Sequence, residues 1–158
     1  IFENMKFLIK TNYLKKINEI EMDPYIFLLS QNNKVTDEKN LIFFGNPISS
    51  CKSIIITEES AEINLNLLPN KISKVILVYS IYGENQNHNF SKIKDLSLDF
   101  FYQGNLVKKF VTNDLFIEKT AVMLEIYKFK DQWKMTIVSS GYRNGLEFLC
   151  KTYGLDVQ

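Results

Sequence analysis

The chain is poor in the residues that build most metal sites and nucleophilic catalytic sites: its 158 residues include one histidine, two cysteines and one arginine. A zinc site takes about four Cys, His or carboxylate ligands, and His88 with the distant Cys51 and Cys150 does not form such a set. A catalytic nucleophile needs a base within reach. His88 lies in the polar segment 85–89, which predicts an exposed loop. The sequence therefore has no recognisable triad or zinc motif, and it predicts a protein that is not an enzyme.

Glycine-rich phosphate loops are also missing. The pair Gly141 and Gly145 encloses Tyr-Arg-Asn and matches neither GxxxxGK[ST] nor GxGxxG, so it predicts a turn before the last helix. Arg143, the single arginine, offers a bidentate fork to an acid or a phosphate, but a surface role is more common for arginine.

No sign of charge dominates and no long apolar run exists. Nineteen basic residues face eighteen acidic ones, for a net charge of +1, which disfavours nucleic acid as a partner. The apolar stretch 7–9 ends at Lys10 and is too short for a signal-peptide core or a membrane span. We therefore expect no membrane insertion and a cytoplasmic location. There, two free buried thiols are favoured over an oxidised pair.

Most of the remaining sequence reads as short strands. The composition, 46% apolar and 13% aromatic, is that of a globular protein, and the length is that of one domain. Runs of β-branched and aromatic residues recur between turn residues, and Ile63, Leu65 and Leu67 alternate with polar residues as in a strand with one wet face. The predicted strands cover residues 24–30, 41–44, 54–56, 63–67, 75–82, 96–100, 106–111, 121–129 and 133–138, the last two forming a hairpin around residues 130–132.

Only the end of the chain has helical periodicity. Leu146, Leu149, Cys150 and Tyr153 follow the i, i+3, i+4, i+7 pattern, which predicts an amphipathic helix over residues 144–153 with Gly154 after its end. Residues 13–20 are ambiguous between helix and strand. Roughly eight or nine strands and one helix predict a mainly β fold, a β-sandwich of two packed, largely antiparallel sheets with a C-terminal α-helix.

Several oxygen-bearing side chains lie at predicted strand ends. They are Glu21, Asp23, Asn46 and the pair Glu58 and Glu59. Calcium takes roughly six to eight oxygen ligands, often from loops, so convergence of these residues would form a candidate site. The alternative is that they are solvated surface residues.

Segments spread along the chain resemble, in the same order, those of TerD-type domains. Residues 23–29 (DPYIFLL) with 33–35 (NKV) are similar to "DLDASAFLL…GKV", and 42–47 (IFFGNP) to "FVFYNNP". The further similar segments are 63–67, 72–82, 89–90, 120–135, 141–146 and 153–157. The resemblance covers about residue 20 to the end, so we expect residues 1–19 to be a divergent N-terminal segment of the same domain and residues 20–158 to form a TerD-like β-sandwich.

This resemblance implies a domain without established enzymatic activity that serves stress response and tellurium resistance. Well-matched members bind two calcium ions through acidic loops, whereas here Glu21 replaces the first Asp of a D-x-D motif and Glu59 remains of a more acidic loop. Asp23 and Asn46 match the family pattern. With Glu21, Asp23, Asn46 and Glu59 as the only candidates for calcium, we predict weak binding or none, and we expect no other cofactor.

Two functions follow as hypotheses. The first is a protein-interaction module whose partners are other proteins, including TerD-type relatives, with peripheral membrane association left open and the oligomeric state undetermined. The second is a sensor of calcium or of a small ligand such as a nucleotide, because a cyclic-nucleotide-binding member is known. In that case Arg143, Asn46 and Asp23 would contribute to a pocket.

Overall fold

Two five-stranded antiparallel sheets dominate the computed structural model, which describes residues 5–13, 15–16, 19–57, 59–112, 115, 117–142 and 145–155. The first sheet has, in spatial order, β10 (Asn105–Thr112), β9 (Leu96–Tyr102), β1 (Lys6–Asn12), β6 (Ser60–Asn64) and β5 (Ile54–Ile56). The second has β12 (Gln132–Tyr142), β11 (Thr120–Phe129), β7 (Lys74–Ile81), β3 (Met22–Leu29) and β4 (Leu41–Ile42). A two-stranded sheet pairs β2 (Lys15–Lys16) with β8 (Ile93–Lys94).

The core lies between the two sheets, and side-chain alternation along each strand explains it. In β7, Val75, Leu77 and Tyr79 belong to the cluster between the sheets, whereas Ile76 and Val78 belong to a second cluster on the outer face. This is the period of two that a strand imposes. Successive β7 residues therefore serve both clusters, which accounts for its nearly continuous apolar sequence. The predicted β-sandwich is confirmed.

The C-terminal helix α1 (Gly145–Thr152) covers the outer face of the second sheet, where Leu149 and Cys150 are buried. Gly154 has a φ of +84°, its N–H donates to the Lys151 carbonyl at 3.0 Å, and the Leu155 N–H donates to the Cys150 carbonyl at 2.8 Å. These two bonds form a Schellman motif. The predicted helix and its terminal glycine are confirmed, and residue 144, the predicted start, lies outside the described residues. None of the helices that the structure describes has the length and apolar character needed to cross a bilayer.

Two hairpins are closed by two-residue loops in which both residues have positive φ. Lys130 (+52°) and Asp131 (+62°) join β11 to β12, and Gln103 (+51°) and Gly104 (+82°) join β9 to β10. Positive φ at both positions is the requirement of a type I′ turn. The predicted hairpin around residues 130–132 is confirmed, with Gln132 already in β12.

The structure corrects several local predictions. Leu65–Leu67 is a 3₁₀ helix and not a continuation of β6, because the Asn64 side chain accepts the Asn66 N–H and caps the turn. The strand predicted over residues 41–44 ends at Ile42, where the chain turns back and Phe43 pairs with Asn46. Strand β1, which was not predicted, lies in the middle of the first sheet.

Candidate functional site

The candidate ligands Glu21 and Asp23 lie where β3 begins. Asp23 pairs with Ser80 in β7, and the Glu21 carbonyl accepts the Tyr82 N–H at 2.9 Å. Asp23 is half-buried and Glu21 is exposed. Burial raises the pKa of Tyr25, and the negative charges of Asp23 and Glu21 raise it further. Both carboxylates are thus close enough to Tyr25, near the start of β3, to affect its pKa.

Asn46 lies in the turn after β4, and its side-chain amide holds that turn. Nδ2 donates to the Leu41 carbonyl at 2.9 Å and to the Lys39 carbonyl at 3.2 Å. The carbonyl of the next residue, Pro47, accepts the Ile56 N–H at 2.9 Å, and Ile56 belongs to the first sheet. Asn46 therefore stands at the edge where the two sheets meet, with its amide nitrogen directed to the chain's own carbonyls.

Glu59 is exposed in the turn between β5 and β6, and contacts place it at the same end of the sandwich as Asp23. Its carbonyl accepts the Thr11 N–H at 2.8 Å. The Thr11 hydroxyl is hydrogen-bonded to the Tyr79 hydroxyl, and Tyr79 pairs with Pro24, the neighbour of Asp23 in β3. We call the set Glu21, Asp23, Asn46 and Glu59 the β3 rim.

The chemistry of the β3 rim is that of hard oxygen donors, which calcium prefers. Within the described part of the chain, no three His, Cys, Asp or Glu side chains lie close enough together to hold a metal ion. Glu58, the neighbour of Glu59, lies outside the described residues. The structure thus places Asp23 and Glu59 at one end of the sandwich and Asn46 at the edge between the sheets, without assembling three carboxylates in the described residues.

The two cysteines are free and lie in different environments. Cys51 is half-buried, and its thiol lies 2.9 Å from the Ser53 hydroxyl. Burial raises the pKa of Cys51, but hydrogen bonds with Ser53 and Ser49 outweigh it and bring the pKa below its ordinary value. Cys150 is buried under α1, where burial and the charge of Glu147 raise its pKa. The prediction of free thiols is confirmed, but only Cys150 is fully buried.

The polar loop around His88 is well bonded within itself. The His88 N–H donates to the Asn85 carbonyl at 3.0 Å, and the Lys119 ammonium donates to the same carbonyl at 2.8 Å. His88 is half-buried rather than fully exposed. Arg143, which the sensor hypothesis placed in a pocket with Asn46 and Asp23, lies outside the described residues.

An apolar cavity of about 250 Å³, opposite the edge where Asn46 lies, was missed by the sequence reasoning. It lies between the edge strands of the two sheets, with Val107 of β10 on one side and Trp133 and Met135 of β12 on the other. Phe7 and Phe100 form its floor, toward the inter-sheet core. The available signal was the sequence Leu-Val-Lys-Lys at residues 106–109, which breaks the strict alternation of a half-buried strand.

Comparisons with known proteins agree with this geometry. A family model described as TerD domain matches residues 5–153. Tellurium resistance protein TerD of Serratia marcescens is 26% identical over 153 residues, 87% of this chain and 80% of the relative. General stress protein 16U of Bacillus subtilis is 24% identical over 162 aligned positions, 93% and 84% of the two chains. A crystal structure of a homologue of telluride resistance protein (TerD) from Streptomyces coelicolor A3(2) has a TM-score of 0.75 at 10% identity, covering 97% of this chain and 99% of that one.

Proposed function

This chain belongs to the TerD domain family, and we propose that it acts as a non-catalytic protein-interaction module in a cytoplasmic stress-response or tellurium-resistance system. The observation that carries the proposal is the extent of the family match, which runs from before β1 into the residues that end α1. Relatives named for tellurium resistance and for general stress align with most of the chain. The match thus concerns the complete sandwich and its covering helix.

A non-catalytic role is supported by how the reactive side chains are placed. His88, Cys51 and Cys150 belong to three separate regions, namely the polar loop, the turn before β5 and the outer cluster under α1. A nucleophile and its base have to lie within hydrogen-bond reach of each other. Because these side chains are not grouped into a catalytic site, we propose that the chain acts through the faces of the sandwich and its edge strands.

The test of the interaction role is co-purification with the products of the adjacent genes, including TerD-type relatives. We expect a stable complex or a defined oligomer in size-exclusion chromatography with light scattering. A deletion strain should lose tolerance to tellurite or to oxidants and regain it when the gene is restored. A chain that stays monomeric with every neighbour, in a strain whose tolerance is unchanged, would contradict the proposal.

Calcium binding at the β3 rim is proposed to be weak. Calcium affinity follows the number and charge of oxygen ligands, and the rim retains Asp23, Glu21 and Glu59 as carboxylates, with Asn46 engaged through its amide nitrogen. Isothermal titration in metal-stripped buffer, with the variant Asp23→Asn as the control, measures the affinity. A micromolar dissociation constant that the variant abolishes would show a working site.

The second candidate function is a sensor of calcium or of a nucleotide. It is supported by the position of Asp23 and Glu59 at one end of the sandwich, with Asn46 in the turn after β4. A thermal-shift screen separates the two functions, because a ligand at a hundred times its dissociation constant adds about 2.7 kcal/mol to the stability of the folded state. A clear shift with calcium or a nucleotide would favour the sensor.

A further inference from the structure

One side of the sandwich is bounded by two long edge strands. Strand β10 ends the first sheet and β12 ends the second, and Val107 of β10 lines the same cavity as Trp133, Lys134 and Met135 of β12. We call the surface formed by β10, the cavity and residues 128–135 the β10–β12 face. It lies away from the β3 rim, since β3 and β6 are on the other side of both sheets.

Strand β10 is exposed along an edge that carries apolar side chains. Leu106, Val107 and Val111 are each about half exposed, at 53%, 49% and 52%. In the described part of the chain, β10 pairs with β9 alone. Strand β10 has a register shift between Leu106 and Lys108, and its exposed edge beside this shift is a template for one more strand. Adding a strand is a common mode of peptide recognition.

The β10–β12 face is also strongly basic. Residues 105–111 and 128–135 contain five lysines and one aspartate, in a chain whose net charge is only +1. The ammonium of Lys128 lies 5.0 Å from the ring centre of Trp133, and that of Lys108 lies 5.4 Å from the ring centre of Phe110. Lys134 is itself a wall residue of the cavity. Positive charge therefore surrounds an apolar opening.

A second copy of this chain is a poor occupant of this edge. Antiparallel pairing of the whole of β10 with its own copy is centred on residues 108–109 and would bring Lys108 of one chain opposite Lys109 of the other. Like charges directly opposite each other destabilise a strand pair. Lys109 is already neutralised by Asp99 at 3.5 Å, but Lys108 and Lys134 of β12 are not paired with an acid in any ion pair of the described residues.

We propose that the β10–β12 face binds an extended acidic segment of a partner protein, in which carboxylates alternate with apolar residues. The segment adds a strand to β10, inserts one apolar side chain into the cavity beside Trp133, and places its carboxylates near Lys108 and Lys134. This inference rests on the proposed interaction role and specifies its site and partner chemistry. An apolar anchor in a pocket lined by aromatic residues, surrounded by charge complementarity, is the usual composition of a strong contact.

The extent of the apolar surface favours a peptide over a small amphiphile or a lipid surface. The cavity alone would satisfy an anionic amphiphile, but Leu106 and Val111 are exposed on the other face of β10, where they pair with Phe101 and Ser97, and only an added strand would contact both faces of the edge. A membrane surface would gain nothing from the hydrogen-bonding groups of an edge strand, whereas an extended segment would use them.

The experiment uses a defined probe, a labelled peptide of about nine residues in which glutamate alternates with valine and the central residue is phenylalanine. Two further probes carry backbone N-methyl groups on alternate residues, one on the odd and one on the even positions. A strand that pairs along one edge donates N–H groups from alternate residues only. We therefore expect the parent probe and one N-methylated probe to bind, and the other N-methylated probe to lose binding.

Charge-reversal variants supply a second test, in which fluorescence anisotropy measures the affinity for the probe and amide NMR maps the binding site. The double variant Lys108→Glu and Lys134→Glu should weaken the parent probe about tenfold or more, which corresponds to about 1.4 kcal/mol. The matched control, Lys39→Glu with Lys92→Glu, reverses two exposed lysines elsewhere and should leave binding unchanged. Amide shifts should map to β10 and to the cavity wall.

Four results would overturn the inference. Equal binding of both N-methylated probes would exclude strand addition. Equal weakening by the two double variants would exclude a specific face. Binding to vesicles of mixed neutral and anionic lipid, or to laurate, without binding of the parent probe would assign the face to a lipid. If the native partner still co-purifies with the Lys108→Glu, Lys134→Glu variant, the interaction role stands and this site fails, whereas a wild-type chain without any partner contradicts the role itself.

Discussion

At the scale of single residues, the contact between Tyr79 and Thr11 joins the two sheets of the sandwich. The Tyr79 ring is 1% exposed, and its hydroxyl is hydrogen-bonded to the hydroxyl of Thr11 in β1. Burial raises the pKa of Tyr79 to about 12, although the bond from Thr11 opposes the shift. A neutral phenol is therefore favoured in the folded chain, because a buried phenolate would lack the solvation that water provides.

We predict that the free energy of unfolding falls as the pH rises from about 10 to about 12 and that Tyr79→Phe makes this fall shallower. In this range the unfolded chain has lost the phenolic proton, while the folded chain keeps it, so each such group lowers stability by about 1.4 kcal/mol per pH unit. Burial also raises the pKa of Tyr153 to about 12, so part of the fall remains in the variant. Below the ordinary tyrosine pKa the contribution of Tyr79 is fully present.

The measurement is urea unfolding at about pH 8 and about pH 11 for the wild type, Tyr79→Phe and Tyr82→Phe. At the lower pH, Tyr79→Phe should cost about 1 kcal/mol for the lost hydrogen bond. Tyr82 is 72% exposed, and its variant should follow the wild type at both pH values. An unchanged pH slope in Tyr79→Phe would show that the buried phenol does not titrate as inferred.

At the scale of elements, the sequence predicted most strands whose side chains face one or two apolar layers, but it missed β1 and it failed where a polar side chain redirects the backbone. Residues 75–82 and 121–129 could be predicted as strands from their apolar sequences. Those sequences are apolar because successive side chains pack into the two different clusters. The period of two at residues 62–67 was correct as far as Asn64, the end of β6, and misleading beyond it, because Asn64 caps a 3₁₀ turn. In β9 the alternation did not mark a wet face either, since Ser97 and Asp99 are both buried.

The β3 rim was only partly predictable from the sequence. Oxygen-bearing side chains at predicted strand ends suggested that Asp23, Asn46 and Glu59 could converge, and strand pairing places Asp23 and Glu59 at one end of the sandwich. The role of the Asn46 amide in holding its own turn depends on two backbone carbonyls, which no spacing in the sequence reveals. The β10–β12 face combines strands from two different sheets, so it could be recognised only from the order of the strands in each sheet.

The two tight hairpins yield a prediction at this scale. Both use two-residue loops with positive φ, but one has glycine at the second position, Gly104, and the other has Asp131. A side chain in the left-handed region costs about 1 kcal/mol relative to glycine. Asp131→Gly should therefore stabilise the fold by about 0.5–1 kcal/mol, and Gly104→Asp should destabilise it by a similar amount.

Chemical denaturation of both variants measures these changes. The reciprocal design is its own control, because each hairpin receives the residue of the other. The space around Gly104 is open, with no atom within 4 Å of an added Cβ, so a loss of stability there reports backbone conformation and not a clash. Changes of the same sign in both variants would contradict the explanation by positive φ.

At the scale of the whole molecule, the two apolar clusters share the strands of the second sheet. In β3, Ile26 and Leu28 belong to the cluster between the sheets, and Phe27 and Leu29 to the cluster beneath α1. The same division holds in β7. Because one backbone carries both sets, neither cluster can lose its packing without disturbing the strands of the other, and we expect α1 and the sandwich to unfold as one cooperative unit.

This expectation can be tested with one truncation in each cluster. Leu149→Ala removes packing beneath α1 and Ile63→Ala removes packing between the sheets, where both side chains are at most 1% exposed. Each should lower the free energy of unfolding by about 2–5 kcal/mol, whereas Phe148→Ala, at 42% exposure on the same helix as Leu149, should cost much less.

The fluorescence of Trp133 reports on the core between the sheets, because Trp133 packs against the inter-sheet cluster, whereas Leu149 belongs to the cluster beneath α1. In a cooperative molecule its fluorescence and the far-ultraviolet circular dichroism must give coincident transitions in every variant. If Leu149→Ala instead shifted the circular dichroism while the Trp133 transition stayed at its wild-type midpoint, the helix layer would be an independent unit, and the shared strands would not couple the two clusters.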